Sequence, residues 1–180
     1  GTPGERPLIG LLDLPRRLTV GVPVADLWSK PVPRSRKLRL DDPLHLSQLL
    51  YGETVTALKA EGDWVRVSAD GQLSRRADGT WGGYEGWMRA SDLVSAAPPP
   101  ADAVVRVRQA LLHRPEGFLT LSVGTRLDRV SVSSGTSFVR LLDGTLGEIP
   151  SDALYTPPAQ PTAASRAEII RTAELFLGTS

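Results

Sequence analysis

The sequence predicts an all-β protein: two small β-barrels in tandem, followed by a C-terminal amphipathic helix. Three observations carry this expectation. Valines recur at alternate positions in short runs, as at Val65 with Val67 and Val105 with Val107, which puts them on one face of a pleated strand. The stretch "LLYGETVTALKAEGDWVRVSADG", Leu49 to Gly71, has a looser copy in "LSVGTRLDRVSVSSGTSFVRLLDG", Leu121 to Gly144, as in a duplicated unit. Two proline-rich stretches, "AAPPPAD" at Ala96–Asp102 and "TPPAQPTA" at Thr156–Ala163, read as stiff extended spacers.

In chain order, residues 1–17 form an N-terminal extension and residues 18–95 the first barrel. The barrel opens on the alternation of Val20, Val22 and Val24, and the hairpin around "AEGDW" follows, with Val65 and Val67 on its return strand. Residues 96–102 are the linker. Residues 103–155 are the second barrel, with the same alternation at Val130 with Val132 and Val139 with Leu141. Gly52, Val55 and Trp64 of the first copy match Gly124, Leu127 and Phe138 of the second, and "GWMRASDL" from Gly86 matches "GEIPSDAL" from Gly147 without a gap. In both, Ser91 or Asp152 is expected to cap a helical turn ending at Leu93 or Leu154. Strand, hairpin, strand, helical turn is the layout of a five- or six-stranded barrel. Residues 156–180 hold the second proline-rich stretch and a helix with Ile169, Ala173 and Phe176 on one stripe, Ile170 and Leu177 alongside, Ser165 and Glu168 at capping-box spacing, and Gly178 as its stop.

Composition narrows function. The 180 residues are 41% hydrophobic and 23% charged with a net charge of +1, so no field draws the chain toward nucleic acid or an anionic membrane. The basic run "RSRKLR", Arg34 to Arg39, is followed at once by Asp41 and Asp42 and reads as a solvated loop. There is no cysteine, which excludes disulfides, thiolate metal sites and a cysteine nucleophile within these residues. The longest apolar run, "LIGLL" at Leu8–Leu12, is too short to span a bilayer. No signal peptide is present, and Gly1 in place of methionine reads as a trimmed or cloned start, which leaves the export status open. His45 and His113 fall in different barrels and read as polar loop residues. No metal-ligand spacing is present, and no cofactor is expected.

Several motifs of the first copy, "VGVPVADLWSKP", "LLYGE", "GDWVRV" and "GYEGWMRASDL", resemble the bacterial SH3-like domains (SH3b) of cell-wall cysteine peptidases. More narrowly they are similar to the γ-D-glutamyl-L-diamino-acid endopeptidases of the NlpC-type family, in which one or two SH3-like barrels precede a papain-like catalytic domain. The tail "AEIIRTAELFLGTS" resembles the first helix of that catalytic domain, so the chain is expected to stop short of the catalytic cysteine. The resemblance runs from about Leu18 to the end and is weakest in the second barrel. It implies a role in binding murein peptide or peptidoglycan beside a C-terminal catalytic domain of the same parent chain. The implied location is the cell envelope or extracellular space, with cytoplasmic recycling of murein peptides as the alternative.

The same resemblance singles out residues. An acid in the "LYGE" position and a tyrosine in the "GYxGW" position hold the free amino terminus of an L-Ala-γ-D-Glu-diamino-acid stem, which maps the ammonium anchor onto Glu53 and the positioning hydroxyl onto Tyr84. The chemistry suits them, since a carboxylate accepts a charge-assisted hydrogen bond from an ammonium and a phenol adds an oriented one. Read without the resemblance, Glu53 is an exposed acid at a strand start and Tyr84 a barrel-edge ring. Trp28, Trp64 and Trp87 lie in strand motifs and are expected to fill or rim the barrel. Trp81, in the insertion "LSRRADGTW" at Leu73–Trp81, is the expected exposed aromatic and a contact for a peptide or sugar face. The second copy has Glu148 where the first has Trp87, lacks both Glu53 and Tyr84, and reads as a spacer or docking surface. The alternatives are a peptidoglycan anchor that adds nothing to a catalytic cleft and an oligonucleotide-binding barrel, against which the near-neutral charge speaks.

Overall fold

The protein is described by a computed structural model over residues 13–37, 41–75 and 78–158. The expected helix, with Ile169, Phe176 and the Ser165–Glu168 spacing, lies outside the described residues, as does most of the N-terminal extension. The chain divides into two compact units between Pro98 and Pro99.

The first unit contains β1 (Arg16–Val20), β2 (Val24–Trp28), β3 (His45–Leu50), β4 (Thr54–Glu61), β5 (Trp64–Arg75), β6 (Trp81–Arg89) and β7 (Leu93–Val94). They form one antiparallel sheet in the order β3-β2-β6-β5-β4-β1-β7. One core holds side chains from every strand, from Leu49 of β3 at one edge to Leu93 of β7 at the other. Strands lie about 4.8 Å apart, so a flat sheet of this width would hold its edges roughly 29 Å apart. A shared core therefore requires the sheet to coil on itself. Leu18, Leu27, Val55, Val65, Val67 and Met88 are almost wholly buried in that core, each worth about 1.5–3 kcal/mol of transfer free energy.

The second unit contains β8 (Ala103–Val105), β9 (Gln109–Arg114), β10 (Gly117–Ser122), β11 (Arg126–Ser133), β12 (Thr136–Arg140), β13 (Leu146–Pro150) and β14 (Leu154–Tyr155). Its order, β10-β9-β13-β12-β11-β8-β14, repeats that of the first unit strand for strand. Buried positions correspond as well: Val20 with Val105, Leu27 with Leu112, Leu49 with Leu121, Val67 with Val139, Met88 with Ile149, and Leu93 with Leu154. The turn before β4 is copied in its backbone. Gly52 and Gly124 both have positive φ, at 86° and 94°, and both donate to the last residue of the first strand, Val20 O and Val105 O, at 2.9 Å.

Several expectations need correction. Each sheet has seven strands, not five or six, because two- and three-residue strands such as β7 and β8 are too short to show alternation. Val22 and Val107 lie between strands, so those two alternations straddle a turn. Val130 and Val132 are exposed near a hairpin end, at 40% and 56%, and are not core. The match of Trp64 with Phe138 is two residues out of register. Both hairpins turn over two residues, Gly62–Asp63 and Ser134–Gly135, and Val67 and Val139 pair with Gly86 and Gly147, the glycines matched between the two copies. Trp64 therefore corresponds to Thr136, and Phe138 to Arg66. Ser91 and Asp152 do not cap anything. They are the middle residues of single 3₁₀ turns, Ala90–Asp92 and Ser151–Ala153, preceded by Arg89 and Pro150 without side-chain caps.

Candidate functional site

Glu53 closes the turn that precedes β4. Its backbone N–H donates to Leu50 O at 3.0 Å, and the Leu50 N–H donates back to its Oε2. Gly52 at the third position supplies the positive φ that a turn of this kind needs. The half-buried carboxylate is thus clasped through one oxygen, while Oε1 has no donor among the described residues. It lies toward Gly71, where a Cβ would stand 3.8 Å away.

Tyr84 sits on β6 opposite Ala69, which in turn stands opposite Val55 across β4. Its ring is half-buried and packs on the core. Glu53 shares its strand parity with the buried Val55 and Ala57, and Tyr84 shares its parity with the buried Gly86 and Met88. Alternation therefore aims Tyr84 inward, and Glu53, in the turn just ahead of β4, stands at the same end of the sheet. Trp81 does not join them. It is three residues from Tyr84, which puts it on the other face of β6, and it is 66% exposed.

The insertion Leu73–Trp81 is not a mere loop, because Leu73, Ser74 and Arg75 pair with Gly83, Gly82 and Trp81 and lengthen the β5–β6 hairpin. At its base, β5 carries extra residues between Ala69 and Leu73. The break was visible in sequence as the end of the Val65, Val67, Ala69 alternation at "DGQ", but its neighbours were not. Asp70 accepts from Thr56 Oγ1 at 2.9 Å. Gln72 donates to Gln48 O at 2.9 Å and accepts from Ser47 Oγ at 2.6 Å, tying β5 to the edge strand β3.

The tryptophans behave as expected of framework: Trp28 is buried, and Trp64 and Trp87 are half-buried, with the Arg89 guanidinium 4.5 Å above the Trp64 ring. The histidines are not loop residues. His45 begins β3, stands edge-on to Trp28 at 5.1 Å and bonds Asp26 Oδ1 at 2.9 Å. His113 lies in β9, stacked on Phe118 at 4.7 Å and 3.6 Å from Glu148 Oε2. Among the described residues no three His, Asp or Glu side chains gather as metal ligands, and no helix is long and apolar enough to cross a membrane.

One arginine of the basic run is bound by the acid that follows it. Arg36 Nε and Nη2 donate to Asp42 Oδ2 and Oδ1 at 2.9 and 2.7 Å, and the Leu44 N–H donates to Oδ1 at 2.9 Å. The Arg36 hydrogen bonds, then the Leu44 N–H, hold the Asp42 carboxyl below its ordinary range. An acid whose folded pKa is depressed stabilises fully above its unfolded value, about 3.9, and loses that contribution as pH falls through the folded value. Stability is therefore expected to fall below about pH 4 more steeply in the native protein than in Asp42→Asn. Urea midpoints measured between pH 2.5 and 6 check this, and parallel curves for the two proteins would remove Asp42 from the acid response.

No family model matches the chain. It is 30% identical over 156 residues to a γ-D-glutamyl-L-lysine dipeptidyl-peptidase of Bacillus subtilis, covering 84% of this chain and 51% of the relative. It is 29% identical over 171 residues to the protein of the same name from Bacillus cereus, covering 84% of this chain and 48% of that one. The chain thus spans about half the length of the curated relatives it matches. A solved NlpC/P60 family protein from Bacillus cereus shares its fold with a TM-score of 0.69 over 88% of this chain and 63% of that one, at 22% identity. The chain is thus similar in sequence to half of two γ-D-glutamyl-L-lysine dipeptidyl-peptidases and in fold to part of a solved NlpC/P60 family protein.

Proposed function

We propose that this chain is the substrate-gating, non-catalytic region of a bacterial cell-wall cysteine endopeptidase of the NlpC/P60 type. In this reading each coiled sheet is an SH3-like barrel, with the barrels at 18–95 and 103–155. The first walls one end of a substrate cleft formed with a papain-like catalytic domain of the same parent chain. Glu53 receives the ammonium of an L-Ala-γ-D-Glu-diamino-acid stem through Oε1, and Tyr84 orients it. The substrate reaches the protein in the cell envelope or outside the cell, and the second barrel serves as a spacer or docking surface. The observation that carries the reading is the sequence similarity to the two γ-D-glutamyl-L-lysine dipeptidyl-peptidases. The placement of Glu53 and Tyr84 at one end of the first sheet supports it.

Calorimetric titration of L-Ala-γ-D-Glu-diaminopimelate into the protein tests the assignment. A hydrogen bond to a charged group contributes about 1.5–3 kcal/mol, so Glu53→Gln is expected to weaken binding by roughly 10- to 100-fold. If Glu53→Gln changes nothing while the protein still sediments with whole murein, the barrels are anchors and the substrate-wall reading fails.

A further inference from the structure

The two units differ most where the acid sits. In the second unit β12 and β13 pair without a break from Thr136–Pro150 to Arg140–Leu146, and the chain turns back over Leu142–Gly144, with Gly144 N donating to Leu141 O. Thr125 takes the place of Glu53 and spends its hydroxyl on Ser122 O at 2.7 Å. In the first unit the register slips between Ala69 and Leu73, leaving Asp70, Gly71 and Gln72 without partners on β6. The acid and the bulge occur together in one copy and are both missing from the other.

The bulge is pinned at its two ends. Asp70 is held by Thr56 and stands 3.4 Å from Arg17 Nε. Gln72 is held by Ser47 and the Gln48 carbonyl. Gly71, stretched between them, has a backbone that any residue adopts, since its φ lies outside the left-handed region. Among the described residues beyond its chain neighbours, a Cβ there would meet one atom within 4 Å, Glu53 Oε1. Neither a left-handed backbone nor a clash at Cβ asks for glycine at 71. A Cβ there would lie against the oxygen that the Leu50 clasp leaves over.

We infer that Gly71 is a specificity-determining position that keeps Glu53 Oε1 open to a primary ammonium, and that the pinned bulge holds this opening in place. The inference rests on the reading of Glu53 as an ammonium anchor. A methyl at 71 displaces water from Oε1 and crowds an incoming ammonium, and an isopropyl group does so more. Among the described residues beyond Asp70 and Gln72 no other atom lies within 4 Å of that Cβ, so both variants are expected to keep the fold.

The test is a ¹⁵N–¹H NMR titration of the 180-residue protein with L-Ala-γ-D-Glu-L-Lys and with its Nα-acetyl form, which lacks the α-ammonium. The method detects millimolar binding. The native protein is expected to bind the free amine and not the acetylated peptide. Gly71→Ala raises Kd several-fold and Gly71→Val by about tenfold or more, with melting temperatures equal to or above native. In a Glu53→Gln background, Gly71→Val adds nothing. Loss of binding in Glu53→Gln with native affinity in Gly71→Val overturns the role of Gly71 and leaves the anchor reading standing. Native affinity in Glu53→Gln, or no binding of the free amine to the native protein, removes the anchor and this inference with it. An effect of Gly71→Val that persists in the Glu53→Gln background places the cause elsewhere and overturns it too.

Discussion

Leu112→Ala is expected to destabilise the second unit by about 2–5 kcal/mol, the range for truncating a fully buried leucine. Leu112 is 0% exposed. The sharper expectation concerns its neighbour. A Cβ built on Gly147 would stand 2.6, 3.1 and 3.2 Å from Leu112 Cδ2, Cγ and Cδ1, so Gly147→Ala alone overpacks the core, at about 1–3 kcal/mol. The three nearest atoms all belong to Leu112. Once that side chain is cut back to alanine, the methyl at 147 enters the space it left, and the sign of Gly147→Ala reverses. Urea denaturation of the native protein, both single variants and the double variant closes the cycle. The double variant should be more stable than Leu112→Ala. Additive losses would mean that the two residues do not share the space the structure gives them.

The second large effect lies in the turn that carries the candidate site. Gly52 has a φ of 86°, a left-handed conformation that costs a residue with a Cβ roughly 1–2 kcal/mol. Gly52→Ala is expected to destabilise by that amount and Gly52→Asn by less, since asparagine tolerates this region better. Gly124, at 94° in the same turn of the second unit, should show the same order. The two sites differ in a way that separates backbone strain from function. Moving the turn at 52 also moves Glu53 and its clasp to Leu50, whereas the turn at 124 carries Thr125. Gly52→Ala should therefore weaken binding of the free-amine peptide and Gly124→Ala should not. Equal stability losses with equal binding losses would detach the turn from the site.

Much of the framework was legible in the chain itself. The duplication could be read from "GETV" against "GTRL" and from Gly86 against Gly147, because each demands something a sequence shows directly. A left-handed turn calls for glycine, and two glycines in equivalent strands mark where Leu27 and Leu112 press against the backbone. The exposed Trp81 was legible from its glycine- and charge-rich surroundings. The placement of Trp64 against Phe138 went wrong because both are aromatic, while register is set by the two-residue hairpins at Gly62–Asp63 and Ser134–Gly135. Turn length, not likeness of side chain, decides pairing.

The candidate site divides along the same line. The sequence by itself determined that an acid, a tyrosine and a lengthened hairpin belong to one copy and not to the other. Only the tertiary structure decided that Tyr84 packs on the core at the end of the sheet where Glu53 is clasped to Leu50, that Trp81 faces away, and that Gly71 lies beside the acid. The reason is physical. Glycine turns, alternation and residue type act over a few neighbouring positions and leave their mark locally. The slip at Ala69–Leu73 depends on Asp70 reaching β4 while Gln72 reaches β3, partners far apart in the chain that only the folded sheet brings together.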